Sequence, residues 1–173
     1  MLDLVAEKVA IRIKNSHPDS ASIEVLKHGL LVSIDAFSVP IVSLIIAWYL
    51  GTVPETLLTI FTFFCIRFFS GGLHLKSALN CFILSTTIII ALPYIATTIP
   101  DLSSLPVILT ILSVISLLIF APANVQYSRL PIKYYPLFKT ISVIIACSNF
   151  FILSKIIAFT LFTQAILIVK LRR

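Results

Sequence analysis

His74 and Cys81 stand seven residues apart in the stretch RFFSGGLHLKSALNC, residues 67–81. A thiol is a poor nucleophile at its ordinary pKa of about 8.5. A neighbouring imidazole can take its proton or hold the thiolate as an ion pair. The two residues are therefore a candidate base and nucleophile, and the spacing sets a condition on them. On a continuous helix they share a face but lie roughly 10 Å apart along the axis. Direct hydrogen bonding needs about 3 Å. The sequence thus predicts that residues 71–77 are not continuous helix with 78–81 and that His74 lies in a loop folding back toward Cys81. Otherwise a water, the substrate or a histidine from another chain must bridge the gap. Residue types alone leave the plainer reading open, since cysteine is a common small packing residue in apolar helices. Packing is the expectation for Cys65 and Cys147, which have no histidine nearby in sequence.

Other residues could serve the same chemistry. Ser70-Gly71-Gly72 should end a helix and permit a sharp turn. Ser77 and Asn80 could orient an imidazole or donate to an oxyanion, or simply cap a helix. Arg67 is an interfacial anchor. Asp35, about six residues into an apolar block, could orient His74 or bind substrate, because carboxylates inside a membrane are costly and often functional. Its alternative is an interfacial pairing with a lysine. Arg129, Lys133 and Lys139 read as ordinary topology charges.

The elements that must hold these residues are apolar. Of 173 residues, 59% are hydrophobic and 12% charged, about half the charge of a soluble domain. The apolar residues come in blocks near 30–50, 53–69, 78–98 and 105–122, and in a stretch 137–169 that Lys155 divides into arms 137–153 and 156–169. Blocks of this length with few charges are transmembrane helices. The last two arms are short and are expected to be tilted, thin or partly buried. The fold class is all-α: a polytopic helical membrane protein with about six apolar segments. Pro40 and Pro93 fall inside spans and are expected to kink them. Residues 1–28 form a cytoplasmic amphipathic segment, and 29–173 form a single transmembrane domain with the catalytic segment at 67–81. In the N-terminal segment, Leu2, Val5, Ala6, Val9 and Ile13 share a helical face. That helix either lies on the membrane or packs on the protein's own helices. NSHPDS at 15–20 breaks it, and a second short helix is expected from about Asp19 to Lys27. The charged N-terminus does not read as a signal peptide.

Charge gives an orientation. With the N-terminus cytoplasmic and six spans, twelve of the thirteen lysines and arginines fall inside, and only Lys155 falls outside. The outer loops GTVPE and PDLSSLP carry no basic residue. Both termini are then cytoplasmic, and residues 70–77 face the cytoplasm. The net charge of +6 fits this topology and lipid headgroups better than nucleic acid, for which no module is present. Three scattered histidines and an odd cysteine count suggest neither a zinc site nor a disulfide framework. No metal and no cofactor is expected.

The pattern R-x-x-x-G-G-x-H-x-x-x-x-x-x-C, formed here by Arg67, Gly71, Gly72, His74 and Cys81, resembles the signature of the accessory gene regulator B (AgrB) family. These are membrane cysteine endopeptidases of Gram-positive quorum-sensing systems. FAPAN at 120–124 is similar to the family's APA element after the fourth span. Length, the run of apolar segments and the amphipathic N-terminus agree as well. The chain departs from the family after this element, where NVQYSRLP delays the basic residue and proline to Arg129 and Pro131. A loop recognising a different peptide is the implied consequence.

The resemblance implies an activity and roles beside it: Arg67 would contact substrate or form a structural ion pair, and Arg129, Lys133 and Lys139 could attract the acidic tail that the family's peptide precursors often carry. Cys81 attacks a carbonyl near the C-terminal side of an AgrD-like precursor signalling peptide, and His74 activates it. The acyl group then sits on Cys81 as a thioester, which a cysteine or serine of the peptide attacks to close a thiolactone or lactone. The partners implied are that peptide, the lipid bilayer and a second copy of the chain as a homodimer. The location implied is the cell membrane, with the site facing the cytoplasm. Two other classes stay open: a small exporter of a peptide or solute, and a membrane scaffold in which Cys81 only packs. The chain has no nucleotide-binding loop and is small for a transporter that does not oligomerise.

Overall fold

A computed structural model of the chain describes residues 2–72, 78–100, 104–123 and 132–171. Among the described residues there are seven α-helices and no strand. The amphipathic helix α1 (Leu2–Ser16) comes first. Six apolar helices follow: α2 (Ile23–Leu50), α3 (Val53–Ser70), α4 (Ala78–Thr98), α5 (Leu105–Phe120), α6 (Tyr135–Ile152) and α7 (Lys155–Leu171), with one 3-10 turn at Ile132–Tyr134 ahead of α6. The six expected apolar segments are present; α2 starts seven residues ahead of its expected block, at Ile23 rather than 30, and the other ends are displaced by at most two. Helices α2, α3, α4 and α6 are long and apolar enough to cross a membrane. Helix α5, at 16 residues, is about 24 Å long at 1.5 Å per residue, short of a hydrocarbon core of about 30 Å. The chain is a helical membrane protein.

Two expectations need correction. The separate short helix from Asp19 to Lys27 does not form. Its C-terminal half is the start of α2, which runs unbroken for 28 residues. No breaker separates Ile23 from the apolar block, and Gly29 alone does not stop a propagating helix. The division of the last apolar stretch is made by Leu153 and Ser154, with Leu153 in the left-handed conformation (φ 54°). Lys155 is the first residue of α7 rather than the break. Pro40 and Pro93 both lie inside continuous helices.

The chain divides into two compact units, Met1–Ser43 with His74–Thr87, and Leu44–Leu73 with Ile88–Arg173. In the first, Ala6 and Ala10 of α1 are buried while Leu4 and Val5 stay exposed. Lys27 of α2 pairs with Glu7 of α1 at 2.8 Å. Of the two placements open for α1, packing on the protein accounts for its alanine face, and Leu4 and Val5 remain available to lipid.

In the second unit, α7 packs on α5 and α3, and α6 packs on the same two helices. Ile66, Leu117, Ala146, Leu161 and Ile168 form the centre of its core. Small polar residues fill the contacts between helices: Thr56, Thr59 and Thr62 on α3, Thr110 and Ser113 on α5, and Ser142 on α6 are all buried. Large apolar side chains point outward instead, among them Phe61, Phe68 and Phe151. This is the distribution expected of a bundle in lipid. Apolar groups gain nothing by leaving hydrocarbon, and close backbone approach and internal hydrogen bonds hold the helices together. Asn149 shows how. Its amide donates to Thr110 Oγ1 at 2.9 Å and to the Ser154 carbonyl at 3.3 Å, and its Oδ1 accepts from the Ser154 N–H at 3.1 Å. One side chain thereby joins α6 to α5 and satisfies the backbone at the 153–154 break.

Candidate functional site

The site is built outward from the end of α3. The helix stops at Ser70, and Gly71 adopts φ 74° and ψ −173°, a region that only glycine occupies without strain. The reason for the stop is tertiary. Gly71 pairs with Ala123 in an isolated parallel bridge, and the Ala123 N–H donates to the Ser70 carbonyl at 2.9 Å. A Cβ on Gly71 would run into the Ala123 carbonyl oxygen. The described parts of the two motif patches, residues 67–72 and 120–123, therefore meet here. The peptide bond between Ala121 and Pro122 is cis.

Arg67, one turn earlier, explains the second glycine. Its side chain lies across Gly72, where a Cβ would sit 3.0 Å from Cζ and 3.1 Å from Cγ and Nη1. The guanidinium carbon is also 5.5 Å from the centre of the Phe63 ring, within cation–π range. The Arg-x-x-x-Gly-Gly spacing thus has two separate physical causes. Gly71 supplies a conformation and a close approach to another segment. Gly72 makes room for the arginine one turn back.

Sequence reasoning missed Gln164. This carboxamide of α7 is fully buried. Its Nε2 donates to the Gly71 carbonyl at 2.7 Å and reaches Ser70 Oγ at 3.4 Å. Ser70 is also buried, and its hydroxyl donates to the Gly71 carbonyl at 3.1 Å. The available signal was an uncharged amide in the middle of an apolar helix, which is costly unless it has a partner. Asn149 carried the same signal on α6.

Cys81 is 6% exposed and lies in the first turn of α4. Asn80, beside it, is exposed. Asp35 is half-buried in α2, one turn before the buried Val39 and two before the buried Ser43, on the same helical face. Lys133 is exposed in the 3-10 turn, its ammonium 4.9 Å from the centre of the Tyr134 ring. Cys65 and Cys147 are half-buried, and the three cysteines form no disulfide. The structure brings Arg67, Gly71 and Gly72 together around one turn. His74, Ser77 and Arg129 lie outside the described residues, as does the expected loop that would return His74 to Cys81. Among the described residues, no three His, Cys, Asp or Glu side chains gather as metal ligands.

The family model for accessory gene regulator B matches residues 6–171, nearly the whole chain and both motif patches. The chain belongs to the accessory gene regulator B family. It is similar to the accessory gene regulator protein B of Staphylococcus aureus strain bovine RF122 / ET3-1, with 28% identity over 131 residues, 76% of this chain and 70% of that protein. The same protein from strain JH9 matches with the same identity and coverage. No solved structure matches significantly. Family membership supports a role in accessory gene regulator quorum-sensing peptide processing in a membrane context.

Proposed function

We propose that this protein is a membrane cysteine peptidase that cuts a precursor signalling peptide and promotes closure of its product ring. The observation that carries the reading is the family match across residues 6–171, within which Cys81 lies in the first turn of an apolar helix that follows the anchored Gly71 turn. His74 takes the Cys81 proton as the sulfur adds to the scissile carbonyl. The C–N bond then breaks, and the same proton goes to the departing amine of the C-terminal fragment. The N-terminal part remains on Cys81 as a thioester. A thiol or hydroxyl within the peptide adds to this thioester, its proton passes through His74 to the Cys81 sulfur, and the ring closes. Exchange of one thioester for another is nearly isoenergetic and needs no ATP. Forming the first thioester from an amide is uphill, so removal of the tail or of the ring must draw the sequence forward.

The distribution of lysine and arginine supports a cytoplasmic position for residues 70–77, so the precursor would be met at the inner membrane surface. An AgrD-like peptide is the substrate class, and a homodimer is the working assembly. The test is co-expression with the short peptide encoded beside this gene, read by mass spectrometry for the native chain, Cys81→Ala and His74→Ala at matched membrane abundance. Both variants should lose the cut product. Unchanged cutting by Cys81→Ala would sink the peptidase reading and bring an exporter or scaffold forward.

A further inference from the structure

Residues 102–173 carry seven lysines and arginines and no aspartate or glutamate. In α3 to α7 the one carboxylate residue is Glu55, in the first turn of α3, at the opposite end of that helix from Ser70. The end of the bundle where α3 stops and α6 begins is therefore basic, with no carboxylate of these helices beside it. Lys133 is exposed in the turn ahead of α6, and Lys139 is half-buried about one turn into the helix. Among the described residues neither lysine forms an ion pair. Charges at the edge of an apolar bundle call for something of opposite sign.

The surface beside these lysines is aromatic and apolar. The Phe138 ring centre is 6.4 Å from that of Phe68 and 5.7 Å from that of Phe69. These rings join the end of α3 to the start of α6 within one compact unit. Phe68 is nonetheless 73% exposed, and Tyr134, whose ring centre lies 4.9 Å from the Lys133 ammonium, is exposed as well. Leu137, Ile144 and Phe151 recur every seven residues and are all exposed, and so are Phe61 and Phe68 of α3. Seven residues are about two helical turns, so each set is one outward stripe running along its helix from the basic end. Aromatic side chains and lysines at helix ends are the groups that settle at a membrane interface.

This combination selects the ligand. An acidic peptide would satisfy the lysines and leave the apolar stripes unused. A phospholipid with an anionic headgroup meets both at once, with its phosphate at the lysines and its acyl chains along the stripes. We propose that Phe68, Lys133, Tyr134, Phe138 and Lys139 form a binding site for an anionic phospholipid, which the site selects over a zwitterionic one. The inference does not depend on the peptidase reading.

The test uses the full chain in vesicles of phosphatidylcholine and phosphatidylglycerol in equal parts. Trp48→Phe removes the single native tryptophan, and Leu137→Trp places a reporter on the stripe next to the lysines. Its fluorescence is quenched by brominated acyl chains carried on one lipid or on the other. A basic residue near an anionic surface is worth about fivefold in association, so the reporter should show a preference for phosphatidylglycerol of about fivefold or more. Lys133→Gln with Lys139→Gln should bring the preference close to one, and Lys133→Arg with Lys139→Arg should keep it. A reporter at the far end of the stripe, Phe151→Trp, should show no preference. Equal quenching by the two lipids at Leu137→Trp would overturn the inference, as would a preference that survives the glutamine pair. A salt series needs no lysine variant: the preference should fall at about 1 M sodium chloride, where the screening length is about 3 Å, and a preference unchanged there overturns the inference even if the glutamine pair does not fold. A short polyglutamate peptide supplies the rival. Its binding to the chain in pure phosphatidylcholine vesicles, lost in the glutamine pair and accompanied by no lipid preference, would assign the basic end to a peptide and overturn the lipid site.

Discussion

Replacing Gly71 and Gly72 by alanine, one at a time, should have very unequal effects although the residues are neighbours in one motif. At Gly71 the added methyl meets three penalties. The φ of 74° with ψ −173° costs a non-glycine residue about 1–3 kcal/mol. The methyl also collides with the Ala123 carbonyl, which is backbone and cannot rotate aside, so the bridge must open. Opening it removes the Ala123 N–H to Ser70 bond and disturbs the Gln164 bond, at about 1 kcal/mol each, and more where a buried partner is left unpaired. The local penalty is therefore about 3–5 kcal/mol, enough to depopulate the native turn by a hundredfold or more at about 1.4 kcal/mol per decade. At Gly72 the methyl meets the Arg67 side chain at 3.0–3.1 Å, and a flexible side chain can move by a few tenths of an ångström. The cost there is an off-rotamer arginine and a weakened contact with Phe63, about 0.5–1.5 kcal/mol. The assay is the yield of cut peptide by mass spectrometry at matched membrane abundance, with thermal stability in detergent measured in parallel. Gly71→Ala should abolish processing, and Gly72→Ala should retain a measurable fraction. The reasoning is refuted if Gly71→Ala processes like the native chain, or if Gly72→Ala is the more damaging of the two.

Further outcomes follow from the rest of the bundle. Asn149→Leu removes a fully hydrogen-bonded buried amide and leaves the Ser154 N–H without its acceptor. It should cost about 2–4 kcal/mol, seen as a lower Tm in detergent, while the Michaelis constant for the peptide stays close to native. Cys65→Ala and Cys147→Ala, alone or together, should leave peptide processing within about twofold of native. A large loss from either would show that the nucleophile has been misassigned.

The helical elements were legible in the order of residues alone. Apart from the early start of α2, the apolar blocks fell within two residues of α2 to α7 because a bilayer demands long uninterrupted helices, and such runs have no other way to satisfy their backbone. The stop after Ser70 was legible because two adjacent glycines at the end of an apolar run are a local signal, although the pairing with Ala123 is what fixes the turn. The false helix at Asp19–Lys27 arose because composition changes from polar to apolar near Gly29, whereas the backbone responds to breakers and meets none there. What the turn touches, by contrast, depends on how the helices pack. Ala123 lies 52 positions beyond Gly71 and Gln164 lies 93 beyond it, and nothing local in the residues after α5 or in α7 announces a contact with the end of α3. The two glycines looked alike in the sequence, and their different causes appeared only when Ala123 and Arg67 were placed around them. Gln164 was passed over for the same reason. An amide in an apolar helix signals that a partner is needed, but the choice of partner depends on which helices pack together. That choice belongs to the whole bundle, because it rests on the close fit of small residues distributed across α3, α5, α6 and α7.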